Sequence, residues 1–356
     1  MRVVAAVLVL GFLGLAGESV AQTTVLVRTA YLPPVGCSNS GCPTAVFEYD
    51  PDGRALRSTT PVAAGTSAYL TPDGSLLVAF DQFNPRLVVL DRTSGGDFVI
   101  PLSPSAVRVI GNPVRPEVYV NDAAGGLALA ASGARRMNTP SCGSSVEARS
   151  VSADGRRVLD QCSPGNGNPG YSAVLDAARG AVVSVMPPGW SPVLNADGSA
   201  LFQAVSSHTG MLLRRYLADS GALDVETVLA PSFIPPNMAF DPRSRRVFLW
   251  ATSYSGVFDG VTLTKQTAAG CVSTVTDMAF ERDRPRAFLV GYNTNSGGFG
   301  FDTGVFCEID TTSLAVTAFY LYTNPRLGAQ AIALAEAPPP PATLASQVTG
   351  SSVTLT

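Results

Sequence analysis

Apolar and polar positions alternate along this chain over short runs, and the runs come in pairs joined by polar turns. Six pairs share one layout: Ala68–Phe80 (AYLTPDGSLLVAF), Arg108–Val120 (RVIGNPVRPEVYV), Arg149–Gln161 (RSVSADGRRVLDQ), Pro192–Ala204 (PVLNADGSALFQA), Asn237–Trp250 (NMAFDPRSRRVFLW) and Asp277–Val290 (DMAFERDRPRAFLV). Asp-Gly, Pro-Asp-Gly and Asp-Pro-Arg at the junctions supply tight-turn dihedrals, so each pair predicts a β-hairpin. The last apolar residues before the turns are Leu70, Ile110, Val151, Leu194, Phe240 and Phe280, and they recur every 40 to 46 residues. Between these hairpins lies a second series, an apolar strand ending in aspartate. Its members end at Asp50, Asp91, Asp176, Asp219, Asp259 and Asp310, and a degenerate copy at Leu127–Ala130 fills the one gap. An aspartate there is expected to cap backbone N–H groups of the following turn.

Four short strands per period describe one blade of a propeller. The expected fold is all-β: a seven-bladed β-propeller of four-stranded antiparallel blades. The aspartate series has seven members, but the leading hairpins number six. Gln330–Ala335 reads as a leading strand without a successor, and Thr24–Tyr31 as a second strand without a predecessor. Pairing the two completes the seventh blade from both ends of the chain and removes exposed sheet edges. Ser67–Ser94 (SAYLTPDGSLLVAFDQFNPRLVVLDRTS) and Arg115-Pro116-Glu117-Val118-Tyr119-Val120 resemble the YVTN-type bacterial β-propellers, related in architecture to WD-repeat and lactonase-like proteins. The likeness spans roughly residues 24–336, and the nearest match to the family's tetrad reads Val118-Tyr119-Val120-Asn121-Asp122. It implies architecture, not activity, because propellers host unrelated functions.

The ends of the chain have a different character. Arg2, the apolar run Val3–Ala16 and the small residues Ser19-Val20-Ala21 match a secretory signal over 1–21. The run is shorter than the roughly 20 residues that span a bilayer, so no membrane span is expected. The propeller occupies 22–336, Pro338–Pro341 lie in a stiff linker over 337–341, and 342–356 (ATLASQVTGSSVTLT) resembles the opening strands of a fibronectin type III-like β-sandwich. The expected localisation is secreted: periplasmic, cell-surface or extracellular.

Export makes disulfides the expected state of the six cysteines, paired by proximity as Cys37–Cys42, Cys142–Cys162 and Cys271–Cys307. Metal and cofactor are not expected. No CxxC occurs, His208 is the sole histidine, and no glycine-rich phosphate loop opens a helix. A net charge of −3 with 14% charged residues argues against nucleic acid, which needs clustered basic side chains. Nearly all the positive charge is arginine, a bias that base composition explains. The candidate ligand-binding residues lie in the loops joining second to third strands: Asp81, Gln82, Asn84, Asn121, Asp122, Tyr254, Tyr292 and Asn293. Amides and tyrosines offer hydrogen bonds and apolar contact at low ordering cost. The sequence favours a monomeric exported propeller that binds or scaffolds a protein, glycan or small molecule. The alternative is a lactonase-like or lyase-like propeller enzyme using loop carboxylates.

Overall fold

The computed structural model describes residues 23–31, 44–52, 55–62 and most of 67–336, together with 348–349 and 352–353; residues 1–22 and several loops lie outside the description. The described residues contain no helix, and none of them forms a segment long and apolar enough to cross a membrane as a helix. They form seven four-stranded antiparallel sheets and one two-stranded ladder, Val348–Thr349 against Ser352–Val353.

Sheet one has the spatial order Leu327–Glu336, Thr23–Tyr31, Thr44–Asp50, Ala55–Val62. The others run in chain order. Sheet two is Ser67–Leu70, Leu76–Asp81, Arg86–Asp91, Asp97–Pro101. Sheet three is Val109–Gly111, Glu117–Asp122, Gly125–Ala130, Gly133–Met137. Sheet four is Ser145–Val151, Arg157–Ser163, Ser172–Asp176, Val182–Met186. Sheet five is Trp190–Leu194, Ala200–Ser207, Gly210–Leu217, Leu223–Ala230. Sheet six is Asn237–Asp241, Arg246–Ala251, Tyr254–Asp259, Lys265–Gln266. Sheet seven is Thr274–Phe280, Arg286–Asn293, Thr303–Asp310, Val316–Leu321. In sheet one, the strands from the two ends of the chain pair directly, with Val27 opposite Ile332 and Leu26 opposite Ala333.

The first strand of each sheet touches the first strand of the next. Within each sheet, first-to-second and third-to-fourth hairpins share one end, called here the lower end. Second-to-third hairpins and the crossovers between sheets share the upper end.

The core lies between consecutive sheets, and the second strands show why. Their neighbours cover both faces, so alternate residues enter different clusters. Val118 and Val120 pack with sheet two through Phe80, whereas Tyr119 packs with sheet four through Val158 and Leu175. Phe202 packs with sheet six, and Leu201 with sheet four. A strand buried on both sides reads as a continuous apolar run, which is how EVYV, ALFQA and RVFLW appear. Ring pairs reinforce two interfaces: Phe202 stacks on Phe240 at 5.5 Å, and Phe248 meets Phe280 at 5.0 Å.

The aspartate series caps its turns as expected. Asp50, Asp91, Asp176, Asp259 and Asp310 each accept backbone N–H groups two or three residues on. Asp219 departs from this. The turn bond of sheet five runs from the Gly221 N–H to the Leu217 carbonyl, so Leu217 holds the capping position. Asp219 instead pairs with Arg157 of sheet four. In sheets two and four to seven the residue four past the cap has positive φ: Gly95, Gly180 and Gly221, but Leu263 and Leu314 in sheets six and seven. A leucine there costs roughly 1–2 kcal/mol. Both leucines are buried, which offsets the strain.

At the lower end, arginines tie sheet three to four, four to five, five to six, six to seven and seven to one, a structural use of the arginine excess beside base composition. Arg135 of sheet three donates to the Ala177 carbonyl of sheet four at 2.7 Å, and Arg157 of sheet four reaches Asp219 at 3.0 Å. Arg215 donates to the carbonyl of Val261 at 2.7 Å, and Arg246 to those of Thr311 and Thr312. Arg284 and Arg286 of sheet seven close on Asp52, beyond the third strand of sheet one. A fork of planar donors can bridge two such turns, which a lysine point charge cannot do equally well.

Burial would raise the pKa of Asp52, but the hydrogen bond from Arg284 and the charges of Arg286 and Arg284 outweigh it and hold the carboxyl below its ordinary value of 3.8. A depressed folded pKa gives stability that is present above the unfolded value and lost as pH falls through the folded one. Backbone N–H bonds from Thr262 and from Ser313 act first to depress Asp259 and Asp310 in the same sense. Calorimetry should therefore show a flat Tm from neutral pH to about pH 5 and a decline below about pH 4. Asp52→Asn should lower Tm slightly at pH 7 and make that acid decline shallower; an unchanged profile would show that the Asp52 contact is energetically idle.

Candidate functional site

Two crossovers at the upper end are held by polar side chains placed inside otherwise apolar second strands. In sheet four, Asp160 and Gln161 follow Val158 and Leu159; in sheet five, Gln203 follows Phe202. All three are buried. Between sheets three and four, Thr139 donates to Asp160 Oδ2 at 2.6 Å, and the Tyr171 hydroxyl donates to the Pro140 carbonyl. A Cys142–Cys162 disulfide fixes the same segment, with Cα atoms 5.7 Å apart. Its loop is worth roughly 3 kcal/mol in the chain-entropy model. Burial raises the Tyr171 pKa, and the charge of Asp160 adds to the effect.

Between sheets four and five, Gln161 Nε2 donates to the Gly189 carbonyl at 2.6 Å and Gln203 Nε2 to the Pro187 carbonyl at 3.0 Å. A methyl group on Gly189 would lie 2.5 Å from Gln203 Cδ, so a larger residue there would have to displace the Gln203 amide. Arg149 donates to Gln161 Oε1 at 2.7 Å and pairs with Glu147 at 3.2 Å. These bonds hold both crossovers in place, and Arg149 and Glu147 offset each other's charge. The sequence signal for them is a polar residue interrupting an apolar strand, in VLDQC and LFQAV.

The candidates read from the sequence fall at the same end. Asp81 closes the second strand of sheet two, opposite Arg86. Asn121 and Asp122 close that of sheet three, opposite Gly126 and Gly125. Tyr254 opens the third strand of sheet six, opposite Ala251. Tyr292 and Asn293 close the second strand of sheet seven, opposite Gly304 and Thr303. Gln82 and Asn84 lie outside the described residues. His208 is exposed in the upper hairpin of sheet five. Cys307 is disulfide-bonded, while Cys37, Cys42 and Cys271 lie outside the described residues. Among the described residues, no three His, Cys, Asp or Glu side chains group closely enough to hold a metal ion.

No family model matches the chain, and no curated protein matches it in sequence. Solved structures do match. Hydrazine synthase of Kuenenia stuttgartiensis aligns at 12% identity and TM-score 0.56, over 80% of this chain and 93% of that one. The dihydro-heme d1 dehydrogenase NirN, in complex with DHE, aligns at 13% and 0.54, over 89% and 75%. KlHsv2 with loop 6CD replaced by a Gly-Ser linker aligns at 11% and 0.52, over 84% and 96%. At such identities the likeness shows fold alone. Together with the repeated four-stranded sheets, it makes this a propeller-like all-β protein.

Proposed function

We propose that the chain is a seven-bladed propeller of the YVTN-like kind, closed by its own terminal strands, which serves as an exported binding or scaffolding module. Its upper end takes a protein, glycan or small molecule. Residues 1–21 act as the export signal, 337–341 as a spacer, and 342–356 as the opening of a further sandwich domain. Closure is supported by the cyclic order of inner-strand contacts. These run from Leu327–Glu336 through the first strands of sheets two to seven and back to Leu327–Glu336. Export is supported by the Cys142–Cys162 disulfide.

The observation that carries the binding reading is the placement of Asp81, Asn121, Asp122, Tyr254, Tyr292 and Asn293 at one end of strands six to eight residues long. That end also has crossovers fixed by buried side chains, which lowers the ordering cost of recognition. Glu147, the described carboxylate on the rim of sheet four, pairs with Arg149 rather than with a second acid. The test is to present the mature chain to glycan, peptide and small-molecule arrays beside a lactone and ester hydrolysis panel. Binding that disappears in Tyr254→Ala and Tyr292→Ala supports the reading. Turnover of a lactone or ester with no binding on any array overturns it.

A further inference from the structure

We propose that the Cys142–Cys162 disulfide is an exchangeable latch on the crossover between sheets three and four. A dithiol reductant opens it by attacking the Cys142 sulfur, and opening loosens the crossover without unfolding either sheet. Such a latch is independent of what the upper end binds. The two cysteines stand in unlike surroundings. Cys162 lies in the second strand of sheet four and is 6% exposed. Its N–H donates to the Tyr171 carbonyl at 2.9 Å, and its carbonyl accepts from the Gly170 N–H at 3.1 Å. Gly170 sits so close that an added methyl group would lie 2.9 Å from Cys162 Cβ. Cys142 lies on the crossover beside exposed Ser141 and is partly exposed itself. Of the three described cysteines it alone is not buried, since Cys307 is 0% exposed.

The rate of thiol–disulfide exchange depends on which sulfur an incoming thiolate can reach. Packing closes off Cys162, so the attack falls on Cys142. The thiolate forms a mixed disulfide with Cys142, the Cys142–Cys162 bond breaks, and Cys162 leaves with the electron pair and takes a proton from water. The reductant's second thiol, as thiolate, then attacks the mixed disulfide. Cys142 is released as a thiol and the reductant as its own disulfide, so two electrons pass to the protein. Two bonds to the crossover do not involve the disulfide: Thr139 donates to Asp160 at 2.6 Å, and Tyr171 to the Pro140 carbonyl. The start of the crossover therefore stays anchored while the stretch around Cys142 gains freedom. The core between the two sheets, with Tyr119, Val158 and Leu175, includes neither cysteine.

Glutathione, added to the full mature chain under native conditions and quenched with acid, tests which sulfur is attacked. Peptide mapping should find the adduct on Cys142 over Cys162 by about ten-fold or more. With dithiothreitol, hydrogen exchange should quicken around Cys142 while buried Leu159 and Val174 keep their protection. Tm should fall by roughly 5–10 °C. Cys142→Ser should show the same exchange pattern without reductant; if that variant fails to fold, the dithiothreitol measurement on the unaltered chain decides alone. An adduct mainly on Cys162, opening only at the rate of global unfolding, or lost protection at Leu159 and Val174 would make the bond a fixed staple and sink the proposal. So would confirmed opening that leaves exchange around Cys142 unchanged.

Discussion

A chain lacking Thr23–Tyr31 is expected to lose its cooperative monomeric fold and to associate through exposed strands. That segment is the second strand of sheet one, paired on one side with Leu327–Glu336 and on the other with Thr44–Asp50. Its removal leaves two strands facing an empty lane, each with a row of unmatched N–H and C=O groups, the arrangement that seeds aggregation. The entropy of bringing residues as distant as Val27 and Ile332 together is about 5 kcal/mol, and only the completed sheet repays it. Light scattering should report oligomers for the truncated chain, and calorimetry a broadened or absent transition. The complementary variant joins the ends covalently: Leu26→Cys with Ala333→Cys, which are direct cross-strand partners. Closing a loop of that size adds up to roughly 5–6 kcal/mol in the chain-entropy model, less whatever strain the bond brings. The oxidised variant should melt higher than its reduced form. A truncated chain that stayed monomeric with an unchanged Tm would show that the terminal strands are ornamental.

Much of this architecture was legible because its cause is periodic. Second strands with two buried faces, such as Arg246–Ala251, must read as apolar runs, and Asp91 or Asp310 must recur where a turn presents N–H groups. Blade length is a repeat in the sequence for the same reason it is a repeat in space. Where another residue meets the same local need, the pattern misleads. The strand of Ile110 runs one residue further, to Gly111, which no apolar pattern marks; a methyl group there would lie 1.8 Å from the Tyr69 ring. Asp219 was counted with the caps although Leu217 holds that place.

Contacts between sheets were not legible at all. Arg246 with Thr311, or Arg286 with Asp52, joins residues whose proximity depends on the assembled fold, and no local pattern marks an arginine as a clamp. The candidate site divides in the same way. Its hairpin positions followed from the strand map, whereas the buried supports Asp160, Gln161 and Gln203 became meaningful only once the crossovers they hold were in place.

Substituting Asn112 by Ala is expected to be among the most damaging single changes in the described structure, at ~2–4 kcal/mol. Asn112 is fully buried at the lower end of sheet three and uses its whole amide. Oδ1 accepts the N–H groups of Val114 at 3.0 Å and Arg115 at 3.1 Å, capping the turn. Nδ2 donates to the Tyr119 hydroxyl and to the Gly155 carbonyl of sheet four, each at 3.0 Å. The Tyr119 hydroxyl in turn donates to Glu117 at 2.7 Å, and Glu117 accepts from Arg135 at 2.8 Å. Burial first, then the neighbouring Glu117, pushes the Tyr119 pKa up, so this hydroxyl stays a donor across the working range. Alanine would strand two turn N–H groups and cut one link between sheets three and four. In a domain of this size, that loss lowers Tm by roughly 3–6 °C. Tyr69→Phe makes a useful comparison, since the Tyr69 hydroxyl donates to the backbone carbonyl of Asn112 and not to its side chain. The two substitutions should add, whereas Asn112→Ala and Tyr119→Phe should couple, because they share a bond. Asn112→Asp keeps the acceptor but buries a charge near Glu117. Its folded pKa would be raised, so its penalty should grow as pH rises through the carboxylate range and shrink again on acidification. An Asn112→Ala variant within about 0.5 kcal/mol of the parent, the scatter of neutral surface changes, would mean that the network merely fills space.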